Sequence, residues 1–139
     1  MNRRDHYVVA KKLIESIAEE VRRDASNPRI RRSIQLILES FSPEHIITEL
    51  LQNADDVTAT YAEVELTDNG IYFTHNGEMF NEDYLRALCD IGKTTKKPGV
   101  HIGFMGIGFK SAFKVSDFPH IFSGPYQFYF KRDDVFVHY

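Results

Sequence analysis

The sequence predicts an α+β protein, a two-layer sandwich of helices on a mostly antiparallel sheet. Two observations support this fold class. Residues 3–56 carry apolar side chains at helical spacing in three successive stretches, which predicts three consecutive helices. From residue 62 onward, short alternating or aromatic stretches are separated by turn-forming pairs such as Asn-Gly and Gly-Pro, which predicts strands joined by turns.

Length and composition indicate a single domain, 1–139, with helices in 1–41 and the core of the domain in 42–139. The formal net charge of −3 does not indicate a nucleic-acid or anionic-lipid partner. The single cysteine, Cys89, lies in an apolar helical stretch, so we expect a buried thiol in a reducing compartment. No apolar run is long enough for a membrane span and no signal region follows the N-terminus, so we expect a cytoplasmic protein.

Two amphipathic helices begin the chain, at about 3–24 and 29–41. The break between them falls before Pro28, because the residue preceding a proline avoids the helical conformation. Their apolar faces are formed by Ala10, Leu13, Ile14, Ile17 and Val21 in the first helix, and by Ile30, Ile34, Ile37, Leu38 and Phe41 in the second.

The third predicted helix, about 43–56, carries the most distinctive polar side chains. Ser42 is its expected N-cap. Glu49, Asn53 and Asp56 are spaced i, i+4 and i+7, which places them on one flank of the helix. Two carboxylates and a carboxamide in this row are compatible with a site, but such spacings are common in helices, and a solvated polar face is the more frequent explanation. They border an expected buried stripe of Ile46, Ile47, Leu50, Leu51 and Ala54.

A β-hairpin and a short helix follow. Residues 62–67 alternate in polarity, as in a half-buried strand with Ala62, Val64 and Leu66 facing inward. The pair Asn69-Gly70 favours a type I′ turn, and residues 71–74 return as the second strand. The helix after the hairpin is expected to begin at Asn81 and to bury Leu85, Leu88 and Ile91.

The second half of the chain changes character at residue 92. Residues 92–99 are polar, basic and flanked by glycine, which predicts a mobile loop. A glycine run at 103–108 then leads into a helix of about 109–115. Three strands are expected near 121–122, 126–130 and 135–139, with turns at Gly124-Pro125 and Asp133-Asp134.

The glycine run suggests an anion site but matches no standard nucleotide loop. Gly103 and Gly108 have Walker-type spacing, yet Phe109 stands where the lysine belongs and no buried strand precedes them. A dinucleotide fingerprint fails because Ser111 occupies the third glycine position. Closely spaced glycines before a helix still allow backbone N–H groups to approach an anion. Positive charge comes from Lys93, Lys96, Lys97 and Lys110, as it would in a solvated basic loop.

The order of these motifs resembles the ATP-binding domain of the GHKL superfamily, which has the Bergerat fold and includes gyrase, heat-shock chaperones, histidine kinases and MutL. The pattern Glu49-x-x-x-Asn53-Ala-x-Asp56 is similar to its N-box, and residues 103–113 are similar to its last glycine box. His75-Asn-Gly-Glu-Met-Phe80 resembles the sacsin-like branch. The resemblance covers about residues 42–117.

The resemblance implies a role for each matching residue. Asn53 would bind Mg²⁺, Glu49 would act as the catalytic base or orient the attacking water, and Asp56 would support the pocket. Residues 93–102 would form a lid over bound ATP. The nucleotide contacts implied by the resemblance are those of Gly92, Lys93, Thr94, Gly103, Gly106, Ile107, Gly108, Phe109 and Lys110, with His75 and Asn76 at the base.

His75 departs from the family pattern. The family reads adenine with an aspartate at this place, and a neutral histidine cannot offer the two acceptors of a carboxylate. Asn76 could accept one hydrogen bond and donate another. The sequence therefore specifies phosphate binding better than it specifies the base.

Three functions are consistent with these motifs. The first is an ATPase whose slow, Mg²⁺-dependent hydrolysis is coupled to lid closure and to a conformational change or dimerisation. The second is an ATP-gated chaperone-like or scaffold module without useful turnover. The third, an autokinase, is disfavoured because no upstream helix presents a phospho-accepting histidine motif.

The partners expected are ATP and Mg²⁺, with no membrane. A homodimer could form through the first helix or through the aromatic sheet edge at the C-terminus. The sequence stops at Tyr139 within a predicted strand. It would then be a C-terminally truncated part of a longer protein with further domains or client proteins, or a module that completes its sheet with a partner.

Overall fold

The computed structural model describes residues 2–89, 109–131 and 136–138 of the chain. These residues form an α+β structure with two small antiparallel sheets, β1-β2 and β3-β4-β5. The helices are α1 (Arg3–Ala25), α2 (Pro28–Ser40), α3 (Ile46–Asp56) and α4 (Glu82–Cys89), with 3-10 helices at Pro43–His45 and Lys110–Lys114. The strands are β1 (Ala62–Thr67), β2 (Gly70–His75), β3 (His120–Ser123), β4 (Tyr126–Lys131) and β5 (Phe136–His138).

Local capping explains the two N-terminal helices, which the sequence predicts to within two residues. Asn2 and Asp5 form a capping box at the start of α1: the Asp5 N–H donates to Asn2 Oδ1 at 3.0 Å, and the Asn2 N–H donates to Asp5 Oδ2 at 3.1 Å. At the next break the Arg29 N–H donates to Asn27 Oδ1 at 2.9 Å. The side chains of Ile34, Ile37 and Leu38 in α2 lie outside the described residues.

The hydrophobic core lies between α1, α4 and the three-stranded sheet. The predicted apolar face of α1 is buried in it, and so is Cys89, which confirms both predictions. This face of α1 is therefore covered within the domain, and the homodimer expected through the first helix stays a prediction. The core residues are Ile14, Ile17, Ala18, Val21, Leu85, Leu88, Cys89, Phe113, Ile121, Phe128 and Phe130.

A side-chain cap begins α4, and an exposed ion pair joins it to α1. Asn81 caps α4, since the Tyr84 N–H donates to Asn81 Oδ1 at 3.0 Å, which confirms the predicted start. Arg86 then forms ion pairs with Glu82 of its own helix at 3.0 Å and with Glu20 of α1 at 3.1 Å. Ile91, the last predicted core residue of this helix, lies outside the described residues.

The hairpin forms as predicted but with a different turn. Thr67 pairs with Gly70, so the two-residue loop is Asp68-Asn69 and not Asn69-Gly70. A type I′ turn needs positive φ at both central residues. Neither loop residue has it, whereas Gly70 adopts a φ of +152°. The predicted turn type is therefore wrong.

The predicted burial of the hairpin's apolar stripe is also wrong, and that of the α3 stripe holds except at Leu51. Leu66 is 79% exposed, and Val64 and Ile71 are exposed as well, so β1 and β2 do not form a half-buried sheet within the described chain. No other described element makes extensive contact with this hairpin. On α3, Ile46 and Ala54 are buried as expected, but Leu51 is 47% exposed.

The C-terminal strands confirm the sequence prediction. β3, β4 and β5 pair antiparallel in that order, and Gly124 adopts a positive φ of +56° in the predicted turn. The expected helix at 109–115 is instead a 3-10 helix, Lys110–Lys114. The Asp133-Asp134 turn lies outside the described residues. No helix among those described is long and apolar enough to cross a bilayer.

Candidate functional site

Helix α3 presents the predicted polar row at the surface of the domain. Glu49 and Asn53 are half-buried and Asp56 is exposed, while Ile46 and Ala54 are buried on the adjoining side of the helix. The segment before α3 is a 3-10 helix, and the side chain of Ser42 makes no capping hydrogen bond, which corrects its predicted role as a side-chain cap. Glu49 and Asn53 are thus placed one turn apart by a helix that is packed on one side only.

The segment that follows the glycine run packs against α3. The 3-10 helix Lys110–Lys114 contacts α3 and the Pro43–His45 helix. Aromatic rings hold this segment in the core: Phe109 and Phe113 lie 5.5 and 6.2 Å from the ring of Phe130. Helix α3, which carries the polar row, and the end of the glycine box are far apart in the sequence and therefore contact each other in the fold.

Ser111 is an unexpected feature of this contact. It is fully buried, and its Oγ has no hydrogen-bond partner among the residues that the structure describes. A buried hydroxyl without a partner costs about 1–3 kcal/mol, so such groups in a native fold call for an explanation. In the sequence, Ser111 served only to exclude a dinucleotide fingerprint. No sequence pattern predicted that its side chain would be buried.

The carboxamide of Asn76 is used within the chain. Asn76 Oδ1 accepts the N–H groups of Thr60 and Tyr61, both at 2.9 Å, and Asn76 Nδ2 donates to Thr60 Oγ1 at 2.8 Å. Both acceptor sites and one donor of the amide are thereby occupied. Asn76 ties the end of β2 to the segment that leads into β1, a structural role that sequence reasoning missed. The position of Asn76, directly after a strand and before a glycine, could have predicted such side-chain to backbone hydrogen bonds.

Gly77 brings the same segment against the end of α3. A Cβ at Gly77 would lie 2.5 Å from Val57 Cγ2 and 2.8 Å from the Val57 carbonyl oxygen. The Glu78 N–H donates to that oxygen at 3.0 Å. Only glycine allows this approach without a shift of the backbone. The His75-Asn76-Gly77 motif therefore contacts the C-terminal end of the helix that carries Glu49 and Asn53.

The turn that leaves α3 is strained. Thr58 has a φ of +58°, a left-handed conformation that is rare for a β-branched residue. Hydrogen bonds hold it there, from the Thr58 N–H to the Asp55 carbonyl and from the Ala59 N–H to the Ala54 carbonyl, both at 2.9 Å. This turn directs the chain from α3 towards the Asn76 contact.

His75 is held in one tautomer by its neighbour. The Gly77 N–H donates to His75 Nδ1 at 3.1 Å, so in the neutral ring Nε2 carries the proton. The ring is half-buried, and burial lowers the pKa of His75, which favours the neutral form. Its ring centroid lies 5.9 Å from that of Phe73.

Three of the segments predicted to form the site contact each other in the structure. α3 contacts both the Lys110–Lys114 helix and the segment at residues 75–78. Within the described ranges, no group of three or more His, Cys, Asp or Glu side chains could hold a metal ion. The remaining predicted nucleotide contacts lie outside the described residues: Gly92, Lys93, Thr94, Gly103, Gly106, Ile107, Gly108 and the side chain of Lys110.

Known proteins show similarity over most of this chain. It is 44% identical over 110 residues to Protein NO VEIN of Arabidopsis thaliana, and 30% identical over 118 residues to sacsin of Homo sapiens. The matches cover 73% and 69% of this chain but only 4% and 2% of the two relatives. No family model matches the chain, and no solved structure matches it. The chain is therefore similar to a small part of sacsin and of NO VEIN.

Proposed function

We propose that the chain is a GHKL-type domain of the Bergerat fold that binds ATP with Mg²⁺ and hydrolyses it slowly. The observation that carries this proposal is the position of α3. It contacts the end of the glycine box on one side and joins the His75-Asn76-Gly77 motif at its C-terminal end. In this arrangement the triphosphate would bind between α3 and the glycine box. The nucleobase would lie beside the His75-Asn76-Gly77 motif.

The residues of α3 fit the proposed chemistry. Asn53 would hold Mg²⁺ through its carboxamide oxygen, a hard ligand of the kind this ion prefers. When bound, the ion would neutralise charge on the phosphates. Glu49, one turn away, would orient the attacking water or accept its proton. Asp56 is exposed at the end of the helix and would act only by supporting this pocket.

The core supports a phosphate site next to α3. Phe109 and Phe113 anchor the backbone after the glycine run on Phe130. Fixed N–H donors need no rearrangement when an anion binds. The proposed donors are the backbone N–H groups of Gly106, Ile107, Gly108 and Phe109.

The wider arrangement agrees with a module inside a longer protein. α1 and α4 pack on the β3-β4-β5 sheet, which supports a two-layer sandwich. The similarity to parts of sacsin and NO VEIN supports the sacsin-like branch. In this proposal the ATP cycle of the module would be coupled to further domains or to protein clients through lid closure.

Calorimetry with Mg²⁺ and ATP tests the binding site. Asn53→Ala removes the proposed magnesium ligand and should weaken binding about tenfold or more. The control is Gln52→Ala, which truncates the neighbouring exposed side chain of the same helix. Equal affinities for the two variants would contradict the proposed role of Asn53.

Turnover separates the ATPase from the second candidate function. Glu49→Gln should retain ATP binding and lower the rate of hydrolysis by about 100-fold or more. The control, Glu39→Gln on the exposed side of α2, should leave both binding and hydrolysis unchanged. Unchanged hydrolysis in Glu49→Gln would refute the catalytic assignment. Tight Mg²⁺-dependent binding with negligible turnover in the wild type would identify an ATP-gated binding module instead.

A further inference from the structure

The segment after β2 is held in place on both sides of Gly77. Before it, Asn76 Oδ1 accepts the Tyr61 N–H at 2.9 Å, and the Asn76 N–H donates to the Tyr61 carbonyl at 3.3 Å. After it, the Glu78 N–H donates to the Val57 carbonyl at 3.0 Å. A Cβ at Gly77 would lie 2.5 Å from Val57 Cγ2, so the backbone here stands directly against the end of α3. The Gly77 N–H therefore cannot turn without breaking one of these contacts.

This N–H group depends on an acceptor that can be lost. His75 Nδ1 accepts it at 3.1 Å. A neutral imidazole has one nitrogen free to accept, whereas a protonated imidazole carries a hydrogen on both nitrogens. Protonation of His75 would set two N–H donors against each other. Either the ring turns away from Phe73 and leaves the half-buried Gly77 N–H without an acceptor, or residues 76–78 move.

The surroundings of His75 favour the neutral ring. Burial lowers the pKa of His75, and none of the carboxylates on the described elements around it offsets that effect. Glu63 lies on the opposite face of the hairpin, because Ala62 is the residue paired with His75. Residues 46–81 contain no lysine or arginine. The carboxylates nearest in the chain to the contacts of His75 are Asp55 and Asp56 at the end of α3, Glu63 and Glu65 on β1, and Glu78.

We propose that protonation of His75 releases the base of the β1-β2 hairpin from the C-terminal end of α3. No other described element makes extensive contact with the hairpin, so few contacts oppose its release. The release takes place as the pH falls through the lowered pKa of His75, below about 6.5. The unfolded chain binds this proton more readily, so the fold loses stability as the pH falls below that value. No nucleotide is needed for this coupling.

Asparagine and phenylalanine at position 75 form a matched pair for the test. Asparagine Oδ1 can accept the N–H two residues later and does not titrate, so His75→Asn keeps the anchor at every pH. Phenylalanine retains a ring but has no acceptor, so His75→Phe lacks the anchor at every pH. The control is His6→Asn, the same substitution on the exposed start of α1.

Hydrogen exchange, measured by NMR on the 139-residue chain without nucleotide, reports on the anchor. The readout is the protection factor of the Glu78 amide, which donates to α3 at the Val57 carbonyl. Wild type and His6→Asn should lose about tenfold in protection between about pH 7.5 and about pH 5. His75→Asn should stay protected at both pH values, and His75→Phe should be poorly protected at both.

The comparison of wild type with His75→Asn decides the inference. An equal loss of protection in the two proteins overturns it, because another group would then carry the pH dependence. Constant protection in wild type while the His75 ring titrates overturns it too. If the variants do not fold, wild type decides alone: one midpoint shared by the ring and the Glu78 amide supports the coupling, and two different midpoints overturn it. ATP is absent throughout, so the result is independent of the proposed function.

Discussion

The two antiparallel sheets of this chain are held in place by different forces. The β3-β4-β5 sheet lies against α1 and α4, and Phe128 and Phe130 are buried between them. The β1-β2 hairpin leaves apolar side chains such as Leu66 exposed. It is joined to the rest of the chain at its base, by the amide of Asn76 and by the Val57 carbonyl. Hydrophobic burial fixes the first sheet, and hydrogen bonds position the second.

This difference matters because the candidate site lies between the two regions. α3 contacts the Lys110–Lys114 helix, which belongs to the buried side, and its C-terminal end contacts the base of the hairpin. Substitutions in the buried sheet should therefore change global stability. Substitutions at the base of the hairpin should change stability less, and should displace the proposed nucleobase-binding residues more.

The largest effect is expected for Leu85→Ala in the core. Leu85 is 1% exposed and belongs to the cluster beneath the three-stranded sheet. Truncation removes buried apolar surface and leaves a cavity, so we expect a loss of about 2–5 kcal/mol in the free energy of unfolding. Urea denaturation followed by circular dichroism measures this. A loss below about 1 kcal/mol would show that the core does not depend on α4.

Gly77→Ala should destabilise the base of the hairpin by an intermediate amount. The new methyl group would overlap Val57 Cγ2 and approach the Val57 carbonyl oxygen. Forced overpacking of this kind costs about 1–3 kcal/mol. Adding Val57→Ala to Gly77→Ala removes one of the two clashes, so the double-mutant cycle should show coupling between the sites. Strictly additive losses would argue against the contact.

Asn76→Ala should cost somewhat less. It removes three hydrogen bonds, but all are exposed, so water can replace the lost partners. We expect a loss of about 1–2 kcal/mol in the free energy of unfolding. Asn76→Asp keeps the Oδ1 acceptor and should lose less. Asn69→Ala in the exposed hairpin loop should stay within about 0.5 kcal/mol of wild type, and an equal loss there would contradict the role of Asn76.

Leu66→Thr should have the smallest effect and completes the comparison with Leu85. Leu66 is 79% exposed, and threonine has the β-branching that strands favour. The free energy of unfolding should change by no more than about 0.5 kcal/mol. A loss comparable to that of Leu85→Ala would mean that the hairpin buries Leu66 in solution, and the contrast between the two sheets would disappear.

Much of the secondary structure follows from the sequence because periodicity and caps act locally. The helices α1, α2 and α4 and the strands agree with their predicted positions, and the Asn81 cap forms as expected. Burial is harder to predict, because alternation shows that a strand could bury one face but not which element covers it. Val64 and Leu66 alternate as a buried face would and are exposed.

For the candidate site, too, the sequence predicts local spacing but not the contacts between distant segments. The spacing of Glu49 and Asn53 was sufficient to place both on one flank of α3. The contact between α3 and the Lys110–Lys114 helix joins segments more than fifty residues apart, which no local pattern specifies. The tautomer of His75 depends on one hydrogen bond from Gly77, and the use of the Asn76 amide depends on the path of the chain after Thr58.

The buried position of Cys89 has a practical consequence for studying this domain. The thiol is the only one in the chain and lies at the end of α4, in the core. A buried thiol is inert towards alkylating and disulfide reagents until the surrounding structure opens. The labelling rate of the native protein therefore reports how often α4 separates from the sheet, without any introduced probe. A change in this rate on adding a nucleotide would show whether the proposed binding at α3 alters the packing of α4.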